Sequence, residues 1–156
     1  MNMNIVLYQP EIPQNTGNIA RTCALTETSL HLIKPLGFSL DEKQLKRAGL
    51  DYWELVNVTV YDSFDQFMEK NPEAKLYLLT TKATKFYHQI DYDQNAFLMF
   101  GKETAGIPTA IHDAHPENRF RVPMRNHEKA RSLNLSNAVN IVLYEALRQH
   151  GFQGLI

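Results

Sequence analysis

The sequence predicts an α/β fold, a mostly parallel sheet flanked by helices. Short apolar runs of three to six residues recur along the 156-residue chain, and segments of helical character separate them. The hydrophobic fraction of 44% and the charged fraction of 21% are those of an ordinary globular protein with its own core. No internal repeat, low-complexity tract or linker-like boundary breaks the alternation, so residues 1–156 are expected to form a single domain.

Six runs read as strands: Ile5 to Tyr8, Leu30 to Ile33, Val56 to Tyr61, Leu76 to Thr81, Ala96 to Phe100 and Phe120 to Val122. Asn18 to Thr26, Asp41 to Ala48, Ser63 to Lys70 and Pro108 to Ala114 read as the helices among them. Asp41 and Ser63 suit N-cap positions, each worth about 1 kcal/mol. Pro108 suits a first helical turn, where a missing N–H costs nothing. The last helix, about Leu135 to His150, is apolar nearly all round from Ala138 to Leu147, with Asn140 and Glu145 as interruptions. A helix on the outside of an α/β layer needs only one apolar stripe, so this one is expected to bury a second face. A homodimer interface, or a central place within one monomer, would supply it.

Bulk properties remove several function classes. A formal net charge of −1 argues against a protein that coats nucleic acid by overall charge, while leaving room for a local basic patch. Cys23 is the only cysteine, so neither an intrachain disulfide nor a multi-cysteine metal site can form. The start, Met1 to Tyr8, lacks the basic and long apolar regions of a signal peptide, and no segment reaches the roughly 20 apolar residues of a membrane span. A cytoplasmic protein is expected. The six histidines are scattered without metal-ligand spacing, although His112 and His115 could pair on a helix. No Gly-x-Ser-x-Gly elbow is present, so hydrolytic chemistry is disfavoured along with metal chemistry.

Three polar turns stand out, and ligands of open α/β sheets bind beyond the carboxyl ends of strands. The first, Gln9 to Arg21, has two stiffening prolines, Gly17 for close backbone approach and Arg21 about one turn into the following helix. The second, Phe100-Gly101-Lys102-Glu103-Thr104-Ala105-Gly106-Ile107-Pro108, has two glycines five apart and a closing proline. It matches neither a Walker loop nor a dinucleotide fingerprint. The third, Arg131-Ser132-Leu133-Asn134-Leu135-Ser136-Asn137, opens the last helix, whose free N–H groups can hold anions or polar ligand atoms. Ser132 or Asn134 can also serve as an ordinary cap. Residues 119–131 carry Arg119, Arg121, Arg125, Lys129 and Arg131 against Glu128, a formal +4 suited to phosphate contact as well as to a solvated face. Asn134, Asn137 and Asn140 recur at spacing three; amides along an apolar helix need partners.

In this order the segments Asn15-Thr16-Gly17-Asn18-Ile19-Ala20-Arg21, Phe100 to Pro108 and Ser132-Leu133-Asn134-Leu135-Ser136-Asn137-Ala138 resemble the three signature motifs of the SPOUT methyltransferases, the α/β-knotted RNA methylases. The likeness continues through Leu7 to Pro13, Pro35 to Phe38 and Gly49 to Tyr52, and is similar to the small single-domain branch acting on the tRNA wobble nucleotide. Ala105 stands where related chains often carry a basic residue. The resemblance implies a C-terminal deep trefoil knot, a homodimer, and transfer of a methyl group from S-adenosylmethionine to the ribose 2′-hydroxyl of cytidine or modified uridine 34, with leucine tRNAs expected. The product cofactor would be S-adenosylhomocysteine, with no metal.

By position, the resemblance implies a cofactor pocket of Leu79, Thr80, Gly101, Glu103, Gly106, Ile107, Val122, Met124, Ser132, Leu133 and Asn134. Arg21 and Asn134 are the expected catalytic residues, with Tyr144 either reaching in from the helix or packing in the core or an interface. Asn15, Arg21, Arg125, Lys129 and Arg131 are the expected contacts to the anticodon stem-loop. A guanidinium is a poor proton acceptor, so holding a phosphate and stabilising alkoxide charge is the easier role for Arg21. Two alternatives are methylation at another tRNA or ribosomal RNA ribose, and a non-catalytic RNA-binding dimer on the same scaffold.

Overall fold

The computed structural model of the chain describes residues 1–41 and 43–156, with residues 44 and 48–51 traced by their backbone alone. Six strands, β1 (Asn4–Tyr8), β2 (Ser29–Ile33), β3 (Val58–Tyr61), β4 (Leu76–Leu79), β5 (Phe97–Phe100) and β6 (Arg119–Phe120), form one sheet in the order β3-β2-β1-β5-β4-β6. Every pairing is parallel, with Leu7 opposite both Leu32 and Phe100, and Leu79 opposite Phe120. The helices are α1 (Pro13–Leu25), α2 (Lys43–Gly49), α3 (Phe64–Lys70), α4 (Thr109–Ala114) and α5 (Leu135–Gln149), with 3-10 turns at Leu50–Leu55 and Tyr87–Gln89. Of the expected helix Asp41 to Ala48, Glu42 lies outside the described residues.

Alternation along the strands divides the core into two layers. Ile5, Leu7, Leu30, Leu32, Leu98 and Phe100 face α1 and α5, which supply Ile19, Cys23, Val139 and Leu143. Val6, Ile33, Leu76, Leu78 and Met99 face the opposite side, closed by Phe67 of α3 and Ile111 of α4. The chain leaves β1 through α1 toward β2 and leaves β5 through α4 toward β6, on opposite faces and in opposite directions. That divergence opens a crevice beyond the carboxyl ends of β1, β5 and β4.

Local chemistry places most element ends. Ser63 Oγ accepts the Gln66 N–H at 3.1 Å and caps α3, while Gln66 Oε1 accepts the Asp62 N–H at 2.7 Å. Pro108 stands immediately before α4, and its carbonyl accepts from Ile111 and His112. Of the boundaries that differ from expectation, three have a visible cause. β3 starts at Val58, because Val56 still donates to the Trp53 carbonyl and closes the 3-10 turn. β6 ends at Phe120, because Arg121 turns to pair with the segment at Lys85 and Phe86, leaving Val122 beyond the strand. α1 begins at Pro13, five residues before the expected Asn18, so Gly17 lies buried inside the helix and not in a loop. The cause is a cap supplied from far along the chain.

Candidate active site

Glu103 supplies that cap. Its carboxylate accepts the Ile12 N–H at 2.7 Å and the Glu11 N–H at 3.0 Å, satisfying donors that no local side chain reaches. The negative charge also sits at the positive end of α1. Glu11 answers in kind: its Oε1 accepts from the Thr104 hydroxyl at 2.7 Å and the Thr104 N–H at 3.1 Å. Those two bonds, with the side-chain one the stronger influence, hold the Glu11 carboxyl below the usual carboxylate range. The first and second polar turns are thus clasped together.

The second turn can close so tightly only because of its glycines. A Cβ on Gly101 would fall 2.0 Å from the Gly106 carbonyl carbon and 2.2 Å from the Ile107 nitrogen. Gly106 takes φ +69°, a left-handed value that disfavours side chains, and its N–H donates to the Lys102 carbonyl at 2.9 Å. Ile107, buried, anchors the end of the turn in the core.

The third turn joins at Asn134. Its Oδ1 accepts from the Ser136 N–H at 2.9 Å, the Ser136 hydroxyl at 2.6 Å and the Asn137 N–H at 3.3 Å, so it is the N-cap of α5. Its Nδ2 donates to Asn15 Oδ1 at 3.1 Å, tying α5 to α1. Asn140 accepts the Thr22 hydroxyl at 2.7 Å and makes a second tie between the same helices. Asn137 is exposed and points away from this pair of contacts.

Together the three turns wall a cavity of about 600 Å³, inside the usual range of about 300–1,000 Å³ for small-molecule sites. Leu79, Thr80, Gly101, Glu103, Gly106, Ile107, Ser132, Leu133 and Asn134 all line it, as do Asn15 and Arg131. The other expected residues lie elsewhere. Val122 packs half-buried against the core, Met124 is half-buried in the following segment, and Arg125 and Lys129 are exposed there. Arg21 lies on α1, exposed, with its guanidinium carbon 4.8 Å from the centre of the Tyr52 ring. Tyr144 is 45% exposed and lines a different groove, shared with Leu25, Phe152 and Ile156. α5 therefore buries a single stripe within this chain and leaves Asn137, Ile141, Tyr144 and Arg148 in a row on its outer side.

Sequence reasoning missed Lys82, Thr104 and His112, which also line the cavity. Lys82 follows the strand-end pair Leu79 and Thr80, so its position was legible. The spacing to His115 was the one local mark on His112, whose Nδ1 is buried and has no hydrogen-bond partner among the described residues. Burial, helped by the charges of Lys82 and Arg119, pushes its proton affinity below that of an ordinary histidine. Among the described residues, no group of three His, Cys, Asp or Glu side chains is placed to hold a metal. No helix among the described residues is long and apolar enough to cross a membrane.

A parallel α/β sheet with a glycine-closed cavity at its carboxyl edge defines a small-ligand α/β protein. Residues 2–144 match the SpoU rRNA Methylase family, and the chain belongs to that family. It is 50% identical to the tRNA (cytidine(34)-2'-O)-methyltransferase of Escherichia coli strain K12, over 99% of this chain and 98% of that protein. A solved structure described as giving insight into 2-OH methylation of C/U34 on tRNA superposes with TM-score 0.90 at 41% identity, covering 96% of this chain and 97% of that one. The SpoU methyltransferase AviRb from Streptomyces viridochromogenes, solved with AdoMet, shares the fold at TM-score 0.80 and 22% identity, over 94% of this chain and 57% of that one.

Proposed function

We propose that this chain methylates the ribose 2′-hydroxyl of nucleotide 34, cytidine or modified uridine, in tRNA, with leucine isoacceptors as expected substrates. The carrying observation is that the three motif turns, distant in sequence, meet around one cavity of cofactor size. Full-length relatives named for that reaction point the same way. The trefoil knot of the α/β-knotted methylases, a cytoplasmic location and action as one catalytic domain over residues 1–156 belong to this reading.

The cavity suits S-adenosylmethionine. Leu79, Ile107 and Leu133 offer apolar wall for an adenine ring, and the unpartnered His112 Nδ1 awaits a polar atom. Gly101 and Gly106 leave backbone groups free of side-chain cover. When bound, the sulfonium supplies an electrophilic methyl group for in-line displacement. Glu103 braces the turn that shapes the cavity, and Asn134 and Ser132 orient ligand atoms at the α5 N-terminus. Asn15 and Arg131, at the cavity, and Arg125 and Lys129, beyond it, contact RNA in this reading.

Arg21 holds the phosphate beside the target ribose and steadies charge developing on the 2′-oxygen. Since it stands outside the cavity of its own chain, it acts at that of a second protomer. Ile141 and Tyr144 on the outer side of α5, continued by Leu25 and Phe152, supply the homodimer face. Incubation with labelled cofactor and unmodified tRNA, followed by mapping of 2′-O-methylation, tests the reading. Label at nucleotide 34 is expected; label at another ribose would move the site, and absence of cofactor binding by calorimetry would remove the class.

A further inference from the structure

A second cavity, of about 520 Å³, lies beside the first and shares Lys82 with it. Lys82, Lys85 and Arg119 line it against one carboxylate, Glu117. Arg121 adjoins it: its N–H donates to the Lys85 carbonyl at 2.9 Å, and its Nη1 donates to the Thr81 carbonyl at 3.1 Å. Arg119 Nε is similarly held by the Pro116 carbonyl at 3.3 Å. Both guanidinium groups are thus positioned by carbonyls, which leave their charge uncompensated. Among the described residues, none of the four cations has a carboxylate within ion-pair distance. In a chain of net charge −1, such a concentration of fixed positive charge marks an anion site. Phe86, next in sequence to Lys85, is 37% exposed at the same sheet edge, where it bridges to Arg121.

We propose that this basic cavity is a backbone-binding subsite for single-stranded RNA, taking the phosphates next to the nucleotide held at the first cavity, with Phe86 stacking on a splayed base. This rests on the methyltransferase reading and deepens it. Inorganic phosphate would use the charge but not the aromatic face. Cations in a groove with an exposed ring beside them are the combination that single strands require. Lys82, common to both cavities, sets the direction of the strand: from the methyl-transfer site, past Lys82, to Lys85 and Arg119. Arg119 lies on β6, which pairs with β4, and the loop after β4 that carries Lys82, Lys85 and Phe86 is tied to Arg121 by backbone hydrogen bonds, so the subsite's geometry is set before RNA arrives.

The test measures binding of an unmodified anticodon stem-loop to the full chain across a salt series, together with cofactor affinity by calorimetry. Lys85→Gln with Arg119→Gln is expected to weaken binding about tenfold near 0.15 M salt and to reduce the log–log salt slope by about 1.4. Lys85→Gln alone, whose side chain makes no hydrogen bond in the fold, should reduce the slope by about 0.7. Phe86→Ala should weaken binding about fivefold or more with the slope unchanged. Cofactor affinity should hold throughout. Unchanged RNA affinity and slope in both lysine variants would overturn the subsite, as would an equal loss of cofactor affinity. A wild-type chain that binds the stem-loop through these cations yet leaves nucleotide 34 unmethylated would sink the functional reading and keep the subsite.

Discussion

Asn134 and Asn15, which lie 119 residues apart in the chain, are joined by a 3.1 Å hydrogen bond from Nδ2 to Oδ1 at the wall of the cavity. The same Asn134 side chain caps α5 through its oxygen, so one amide fixes both the helix start and its distance from α1. Asn134→Ala is expected to cost about 1–2 kcal/mol in urea unfolding through loss of the cap. Asn134→Asp keeps the capping oxygen and should recover most of that stability, while both variants bind cofactor more weakly. Equal stability of the two would show that the cap contributes nothing.

The two glycines of the second turn should behave differently. Gly101→Ala places a methyl group against the Gly106 backbone and cannot be accommodated without opening the turn, so calorimetry should find cofactor binding abolished. Gly106→Ala meets no atom within 4 Å and bears only the left-handed backbone penalty, about 1–2 kcal/mol. Its binding should weaken without disappearing.

Arg21→Ala should fold normally and bind cofactor with wild-type affinity, because the side chain lies outside the cavity of its own chain. Turnover on tRNA should fall by roughly 10²–10³, the scale for loss of one transition-state contact. Mixing Arg21→Ala with Gly101→Ala subunits should restore part of the activity if the arginine serves the second protomer. An unchanged rate in the single variant would remove Arg21 from the mechanism.

His31 makes the stability depend on acid. It is buried between Tyr61, whose hydroxyl lies 2.8 Å from Nδ1, and Asn4, whose Oδ1 lies 3.0 Å from Nε2; burial pushes its pKa from 6.5 down to about 4. The folded chain resists a proton that the unfolded chain accepts, so stability is fully present above pH 6.5 and is lost as the pH falls toward 4. The loss across that window should approach about 3 kcal/mol. Denaturation midpoints measured against pH should show this slope in the wild type and lack it in His31→Gln.

Much of the fold was legible because strands and helices are written locally. The alternation of Ile5, Val6 and Leu7 sorts one residue to each face in turn, and Ser63 with Gln66 marks a helix start within four residues. The cavity wall was legible for a related reason: Gly101, Gly106 and Asn134 are residue types whose backbone or capping demands are nearly unique to their positions. Where the demand was met from a distance, the reading failed. Ile12 carries no capping side chain, and the carboxylate that starts α1 at Pro13 belongs to Glu103.

By itself, then, the sequence determined the α/β layering, the three turns and the residues that close them, since period, glycine placement and capping chemistry act over a few residues. Only the tertiary structure decided which of the marked residues share a space. It drew Asn15, Gly101 and Asn134 together, left Arg21 and Tyr144 outside that cavity, and set Lys82 and Lys85 beside Arg119 and Arg121. The physical reason is the strand order: β1, β4 and β5 end at one edge, and pairing of β4 with β6 brings together charges that lie nearly forty residues apart.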